Sequence, residues 1–240
     1  MPPLRTKLLA EFIGTALLLA AVVGSGIMGV ALSQGNDAIA LLANAAATAG
    51  ALYVLIVLFG PISGAHFNPA VTLAMRWRGQ IGSADALAYI AVQVGAAVAG
   101  VLLAHAMFDL PLWQPGTHAR TGLPQWISEA VATFGLLLTI LLGVRHRPQA
   151  VPALVAAYIF AAYWFTASTS FANPAVTLAR ALTQTFAGIR PDDVPGFVVA
   201  QLVGMAAGCG VASLLVPAVT PKGETGDVRA ELASQEMRRP

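Results

Sequence analysis

The chain carries one seven-residue string twice, Asn-Pro-Ala-Val-Thr-Leu-Ala, at residues 68–74 and again at 173–179. Asparagine is favourable just before a helix, because its side-chain oxygen accepts a free backbone N–H of the first turn. Proline suits the first helical position, since it has no N–H to leave unpaired and its backbone angle is already helical. Each copy therefore predicts the start of a helix, and the repetition predicts an internally duplicated chain.

The composition predicts a protein dissolved in lipid. Of the 240 residues, 57% are hydrophobic and only 10% are charged, which leaves too few polar side chains to cover a soluble surface. A helix of about 20 apolar residues crosses a bilayer. Six segments are long enough: 8–32, 37–60, 84–107, 125–143, 150–171 and 194–217. Two shorter stretches, 68–76 and 173–183, are predicted to be re-entrant half-helices. The predicted fold class is thus an all-α membrane protein.

The basic residues favour a cytoplasmic N-terminus. Arg5 and Lys7 before an apolar run imitate a signal peptide, but Glu11 interrupts the run, which is also too long for one, so a first spanning helix is preferred. In this orientation ten basic residues lie inside, and three lie outside: Arg120, Arg180 and Arg190. Both termini are therefore predicted to be cytoplasmic, including a polar tail at 221–240.

The chain also repeats its polar pattern. Glu11 precedes Thr15 by four residues, as Glu129 precedes Thr133, and each pair stands near the start of an apolar segment. The predicted halves of a single domain at 1–220 are therefore 1–110 and 111–220, with three spans and one half-helix each. An odd number of spans forces the halves into opposite orientations, which is the inverted-repeat architecture of many transport proteins.

Two such helix starts, one from each side of the bilayer, can build a pore. The side-chain oxygens of Asn68 and Asn173 cap their helices, and the NH2 groups remain as donors. Pro69 and Pro174 begin the helices, and Ala70 and Ala175 are small enough for the two tips to meet. The positive helix ends would repel cations, while a hydroxylic solute could give its oxygen to the amides. The pattern predicts a channel for small uncharged solutes.

The strings at 10–15 and 63–72, together with the second Asn-Pro-Ala at 173–175, resemble the aquaporin and aquaglyceroporin family. The resemblance covers about 8–217. It implies an aquaporin-like, right-handed bundle of six tilted helices and two half-helices, with one pore per subunit in a homotetramer.

Glu11 and Glu129 lie inside apolar spans, where a carboxylate is costly and is usually functional. A proton relay is one hypothesis. The resemblance favours another, in which each carboxylate accepts N–H groups of the adjacent re-entrant loop and supports it. By the same resemblance His66 borders the cytoplasmic half of the pore, and a hydrogen-bonded loop residue is preferred over a pH gate.

In this family four positions form an outer constriction, and the one after the second Asn-Pro-Ala is usually arginine. Counting without gaps places these positions at Thr48, Ala161, Ser170 and Val176. None is arginine, histidine or aromatic, so the resemblance implies a wide, weakly polar opening. Valine at this place is similar to a bacterial branch linked with metalloid acids such as arsenous acid. Water, glycerol-like polyols and urea are not excluded.

Arg180 stands one helical turn after Val176 on the same face. It could reach into the outer vestibule, but an arginine that extends to the membrane interface is the preferred interpretation.

An ion-coupled secondary transporter is the alternative to a passive channel, and a non-conducting scaffold is a third hypothesis. A transporter is less favoured, because the spans carry almost no ionisable groups apart from the two glutamates. We expect no enzyme activity, cofactor or metal site, and no binding of nucleic acid; the expected partners are solutes and membrane lipid. Short loops and a single cysteine, Cys209, suit a bacterial inner membrane.

Overall fold

The computed structural model describes residues 2–215. Within these residues the chain forms eight α-helices and no strand. The helices are α1 (Leu4–Leu32), α2 (Asp37–Ser63), α3 (Pro69–Trp77), α4 (Ser83–Met107), α5 (Leu123–His146), α6 (Val151–Phe165), α7 (Pro174–Arg180) and α8 (Val194–Leu215). Short 3-10 turns precede α6 and α8. Six helices are long and apolar enough to cross a membrane, while α3 and α7 are too short. The predicted all-α class with six spans is confirmed.

The fifth predicted span is too long. We expected a segment at 150–171, but α6 ends at Phe165 and the chain then runs without helix to Asn173. The residues after Phe165 are rich in serine and threonine, whose hydroxyls offer the backbone local hydrogen bonds that compete with a helix. Ser168 Oγ, for example, accepts the N–H of Ser170 at 3.2 Å. The predicted tail at 221–240 lies outside the described residues.

Small residues bring the long helices together in pairs. Helix α1 packs on α2 and α4, and α5 packs on α6 and α8. At the first crossing, a Cβ added to Gly100 would lie 2.2 Å from the carbonyl oxygen of Ala16. At the matching crossing, a Cβ on Gly204 would lie 2.2 Å from the carbonyl oxygen of Ala130. Glycine is required at both places, as is common where membrane helices approach closely.

Each half-helix packs into the core of the other half of the chain. Val71 and Met75 of α3 belong to a buried apolar cluster with Leu136 of α5 and Ile159 of α6. In the mirror arrangement, residues of α7 share a cluster with α1 and α4; this cluster includes Ala175, Val176, Leu18, Val22 and Val101. The two halves are therefore interlocked through the short helices.

We expect Gly204→Ala to destabilise the protein by about 1–3 kcal/mol, because the new methyl group meets backbone that cannot turn away. Gly210→Ala is the matched control on the same helix, since it is exposed and an added Cβ would meet nothing within 4 Å. It should be neutral, or stabilising by up to about 1 kcal/mol through helix propensity. Thermal unfolding in detergent measures both. Equal unfolding temperatures for the two variants would contradict the close crossing.

Candidate functional site

The two Asn-Pro-Ala turns meet tip to tip. The side-chain oxygen of Asn68 accepts the N–H of Ala70 at 2.9 Å, and that of Asn173 accepts the N–H of Ala175 at 3.0 Å. Each asparagine therefore caps its own half-helix, with proline at the first position. The Nδ2 group of Asn68 donates to the carbonyl oxygen of Ala172 at 2.8 Å. That of Asn173 donates to the carbonyl oxygen of Phe67, also at 2.8 Å. One N–H of each amide thus ties the two turns together, and the other N–H is left for a solute.

The loop before α3 is held by one fully buried carboxylate, Glu11. Its two oxygens accept four hydrogen bonds of 2.7–2.9 Å, from the backbone N–H groups of His66 and Phe67 and from the side chains of Ser63 and Gln93. Backbone N–H groups at membrane depth have no water to bond to, so this carboxylate satisfies them.

The loop before α7 is held in the same way by Glu129, which is also fully buried. Its oxygens accept four hydrogen bonds of 2.6–2.9 Å, from the N–H groups of Phe171 and Ala172 and from the side chains of Ser168 and Gln201. The structure therefore gives both glutamates the contacts that a loop-supporting role requires.

Both loops contain residues in the left-handed region of backbone space, which glycine prefers. Phe67 and Ala172, the residues just before the two asparagines, have φ of 49° and 47°. Ala65 and Ser170, at φ of 49° and 52°, also match between the loops. Non-glycine residues in this region are strained and persist only where surrounding contacts fix them, which is typical of functional sites. Here the glutamate hydrogen bonds supply that fixation.

A cavity of about 290 Å³ passes both asparagines. Its lining extends from Gln80, beyond the C-terminal end of α3, to Arg180, the last residue of α7. Because the two half-helices point away from their meeting point, a cavity that touches both far ends runs through the bundle. We call the end at Arg180 the outer end, after the predicted orientation. Most of the lining is apolar and includes Leu52, Val71, Ile159 and Val176.

Three of the four residues expected at the outer constriction line this cavity, namely Thr48, Ser170 and Val176. The prediction for Ala161 is wrong, because this residue lies on the exposed side of α6 and is absent from the lining. Tyr163 lines the cavity instead, and its hydroxyl lies 3.2 Å from Thr48 Oγ1. Successive helical residues are rotated by about 100°, so an error of two residues moves a side chain nearly to the opposite face.

The preferred prediction for Arg180, an arginine extended to the membrane interface, is also wrong. Arg180 is only 2% exposed and lines the cavity. Its Nε–H donates to the carbonyl oxygen of Ala187. Its guanidinium carbon lies 3.4 Å from the ring centroid of Phe171, a cation–π contact. A positive charge therefore stands at the outer end of the cavity, although position 176 is valine.

A second buried arginine, Arg120, was missed as a site residue. It is 7% exposed, and its guanidinium donates to the carbonyl oxygens of Gly188, Ser168 and Phe186 at 2.9–3.5 Å. Burial lowers the pKa of Arg120 to about 10. Because this pKa is still well above neutral pH, the group remains charged. The sequence held no signal for this role, since the partners are backbone carbonyls far away in the chain.

His66 lines the inner part of the cavity. Its Nδ1 lies 3.1 Å from Thr72 Oγ1, and its ring packs against Tyr89 with centroids 5.3 Å apart. These contacts fit a hydrogen-bonded loop residue. Among residues 2–215, no group of three or more His, Cys, Asp or Glu side chains could hold a metal ion.

Residues 2–166 match the family described as major intrinsic protein. The chain is 58% identical over 201 residues to aquaglyceroporin AqpS of Rhizobium meliloti, covering 84% of this chain and 86% of the relative. It is 33% identical over 192 residues to aquaporin TIP2-3 of Zea mays, covering 75% and 77%.

A solved structure, the aquaglyceroporin from Plasmodium falciparum, has the same fold with a TM-score of 0.69. The match covers 90% of this chain and 97% of that one, at 18% sequence identity. The resemblance seen in the sequence is confirmed: this chain belongs to the major intrinsic protein family, as a membrane channel of the aquaporin and aquaglyceroporin type.

Proposed function

We propose that the cavity is a passive path for water and for glycerol-like polyols, and that it also admits metalloid acids such as arsenous acid. The observation that carries the proposal is the cavity itself, which passes Asn68 and Asn173 between apolar walls. Each amide has one N–H free to donate to a solute oxygen. An uncharged molecule with several hydroxyls can replace its hydrogen bonds to water by hydrogen bonds to these amides. A cation would lose its hydration shell and find no negative charge in the cavity to compensate for the loss.

The outer constriction in this proposal consists of Thr48, Tyr163, Ser170 and Val176. Valine provides neither the charge nor the donors that arginine would bring to this position. At position 176 the opening is therefore less polar and less filled than it would be with arginine there, although Tyr163 contributes an aromatic ring and a hydroxyl. Arsenous acid resembles a compact polyol, with three hydroxyls on a small centre, so the same path suits arsenous acid and glycerol.

A passive channel is preferred over an ion-coupled transporter because both buried glutamates are fully occupied. Each accepts four hydrogen bonds from its loop and the neighbouring helices. Protonation would turn one accepting oxygen into a donor that faces other donors. A carboxyl that loads and releases a proton in each cycle does not fit this arrangement. The interlocked half-helices also oppose the rocking of one half against the other that transporters use.

We further propose a homotetramer in a bacterial inner membrane, with both termini cytoplasmic. Small residues on the outer faces of α2 and α6, among them Ala49, Gly50, Ala153 and Ala157, line a groove where a neighbouring subunit could approach closely. Native mass spectrometry of the protein in detergent would test this, and a monomer or dimer at all protein concentrations would contradict it.

Flux in reconstituted vesicles tests the coupling. We expect glycerol flux through the wild type to be unchanged when an uncoupler collapses the proton gradient. Glu129→Gln should lower the unfolding temperature and reduce the flux of every solute alike, because the amide NH2 replaces one of the two oxygens and would face the N–H of either Phe171 or Ala172. Each lost bond to a charged group is worth about 1.5–3 kcal/mol.

Asp192→Asn is the control for this experiment, since Asp192 is exposed on the loop before α8. It should change neither stability nor flux. Wild-type flux that requires the gradient, together with a folded Glu129→Gln variant that has lost this requirement, would favour the transporter.

The filter proposal predicts that Val176→Arg will reduce glycerol and arsenous acid flux much more than water flux. The new guanidinium would narrow the path and lie one turn from Arg180, so that like charges face each other. A barrier higher by about 1.4 kcal/mol corresponds to a roughly tenfold lower flux.

Val176→Met, which adds bulk without charge, separates narrowing from repulsion. Stopped-flow light scattering compares water, glycerol and arsenous acid for all three proteins. Identical permeabilities in the wild type and Val176→Arg would show that position 176 is outside the constriction.

A further inference from the structure

The outer end of the cavity holds two arginines around one aromatic ring. The guanidinium carbons of Arg180 and Arg120 lie 3.4 and 5.1 Å from the ring centroid of Phe171. Two cations so close together repel each other, so each needs partners that hold it in place. Those partners differ between the two arginines, and the difference indicates what each does.

Arg120 is fully engaged by the protein. All three of its guanidinium nitrogens donate to backbone carbonyls: Nε to Gly188, Nη1 to Ser168 and Nη2 to Phe186. It does not line the cavity. Arg120 therefore fixes the loops around the outer end, and its charge adds to the local positive field.

Arg180 is only half engaged. Its Nε–H donates to the carbonyl oxygen of Ala187, and its flat face rests on Phe171. Within residues 2–215, neither Nη group of Arg180 makes a hydrogen bond, and neither is shut off from solvent. Since the residue is 2% exposed and lines the cavity, its free Nη groups are open to the cavity. The ring and the Ala187 carbonyl thus hold the guanidinium in place, so that its Nη groups form a fixed pair of hydrogen-bond donors.

Other polar groups line the cavity with this pair of donors. Tyr163 Oη and Thr48 Oγ1, 3.2 Å apart, belong to the same lining. Ser170 Oγ has no hydrogen-bond partner among the described residues, and Ser170 also lines the cavity. Hydroxyls both donate and accept, so they complement a donor-only guanidinium. The outer end can therefore take a solute that accepts from one side and donates to the other.

We propose that Arg180 is the specificity-determining residue of this channel, and that it replaces the arginine that the family usually has at the position of Val176. Its charge excludes cations, and its Nη groups donate to two oxygens on adjacent carbons of a vicinal polyol, in the bidentate manner that guanidinium favours. Glycerol is preferred over urea, which offers a single oxygen. This inference rests on the proposed channel function and adds the residue and the solute class.

The test compares the wild type with Arg180→Gln and Arg180→Lys in vesicles, by glycerol, urea and water flux and by sodium leak. Arg180→Gln should raise the sodium leak at least about tenfold, because a fixed charge changes local ion concentrations by that order. It should also lower the glycerol-to-urea flux ratio. Arg180→Lys should keep the exclusion of sodium, which needs only charge, and lose the preference for glycerol, which needs the fixed pair of donors.

Arg147→Gln is the matched control, because it removes one positive charge from an exposed residue of the predicted inner side. It should behave as the wild type. Unchanged sodium exclusion and an unchanged glycerol-to-urea ratio in Arg180→Gln, or a lysine variant that behaves as the wild type, would overturn the inference while the channel function stands. A wild type that conducts neither water nor glycerol would overturn the proposed function and this inference together.

Discussion

The structure depends on how backbone N–H groups are satisfied at membrane depth, where no bulk water reaches them. The two re-entrant loops are irregular in the interior of the bundle, and each would be costly without partners. Glu11 and Glu129 accept the N–H groups, and this fixes residues with positive φ that would otherwise relax. The two carboxylates thus hold the loops in the conformation in which the two asparagine-led turns meet.

The positions of the two buried arginines follow from the same requirement for hydrogen-bond partners. A guanidinium inside a membrane protein needs acceptors, and the outer loops provide backbone carbonyls that no helix uses. Arg120 takes three of them and Arg180 takes one. The aromatic face of Phe171 completes the environment of both. In this chain, therefore, a valine in the second Asn-Pro-Ala-Val string does not remove positive charge from the outer end; the charge stands one helical turn farther along α7.

The sequence predicted much of this arrangement because its main signals are local. Asparagine followed by proline determines a helix start, and the run of apolar residues determines a span, so six spans and two half-helices could be placed. The paired glutamates could be assigned to the loops by the duplication. Tyr163 could not be found, because the direction of a side chain on α6 depends on where that helix ends, and Ala161 was chosen by counting back from Asn173 without gaps. The environment of Arg180 depends on Phe171 and Ala187, which lie in the loops before and after α7, and no local pattern encodes how such loops fold back onto a side chain.

The crossed packing of the half-helices has a consequence for biogenesis. Residues of α3 are synthesised early, yet their apolar partners include Leu136 and Ile159, which emerge much later. Helix α3 packs on α4 of its own half, but its apolar cluster is complete only when α5, α6 and α8 are in the bilayer. The second Asn-Pro-Ala turn, which the first one contacts, also comes from the second half of the chain. A chain arrested after α4 would therefore hold an incompletely packed half-helix and only one side of the pore.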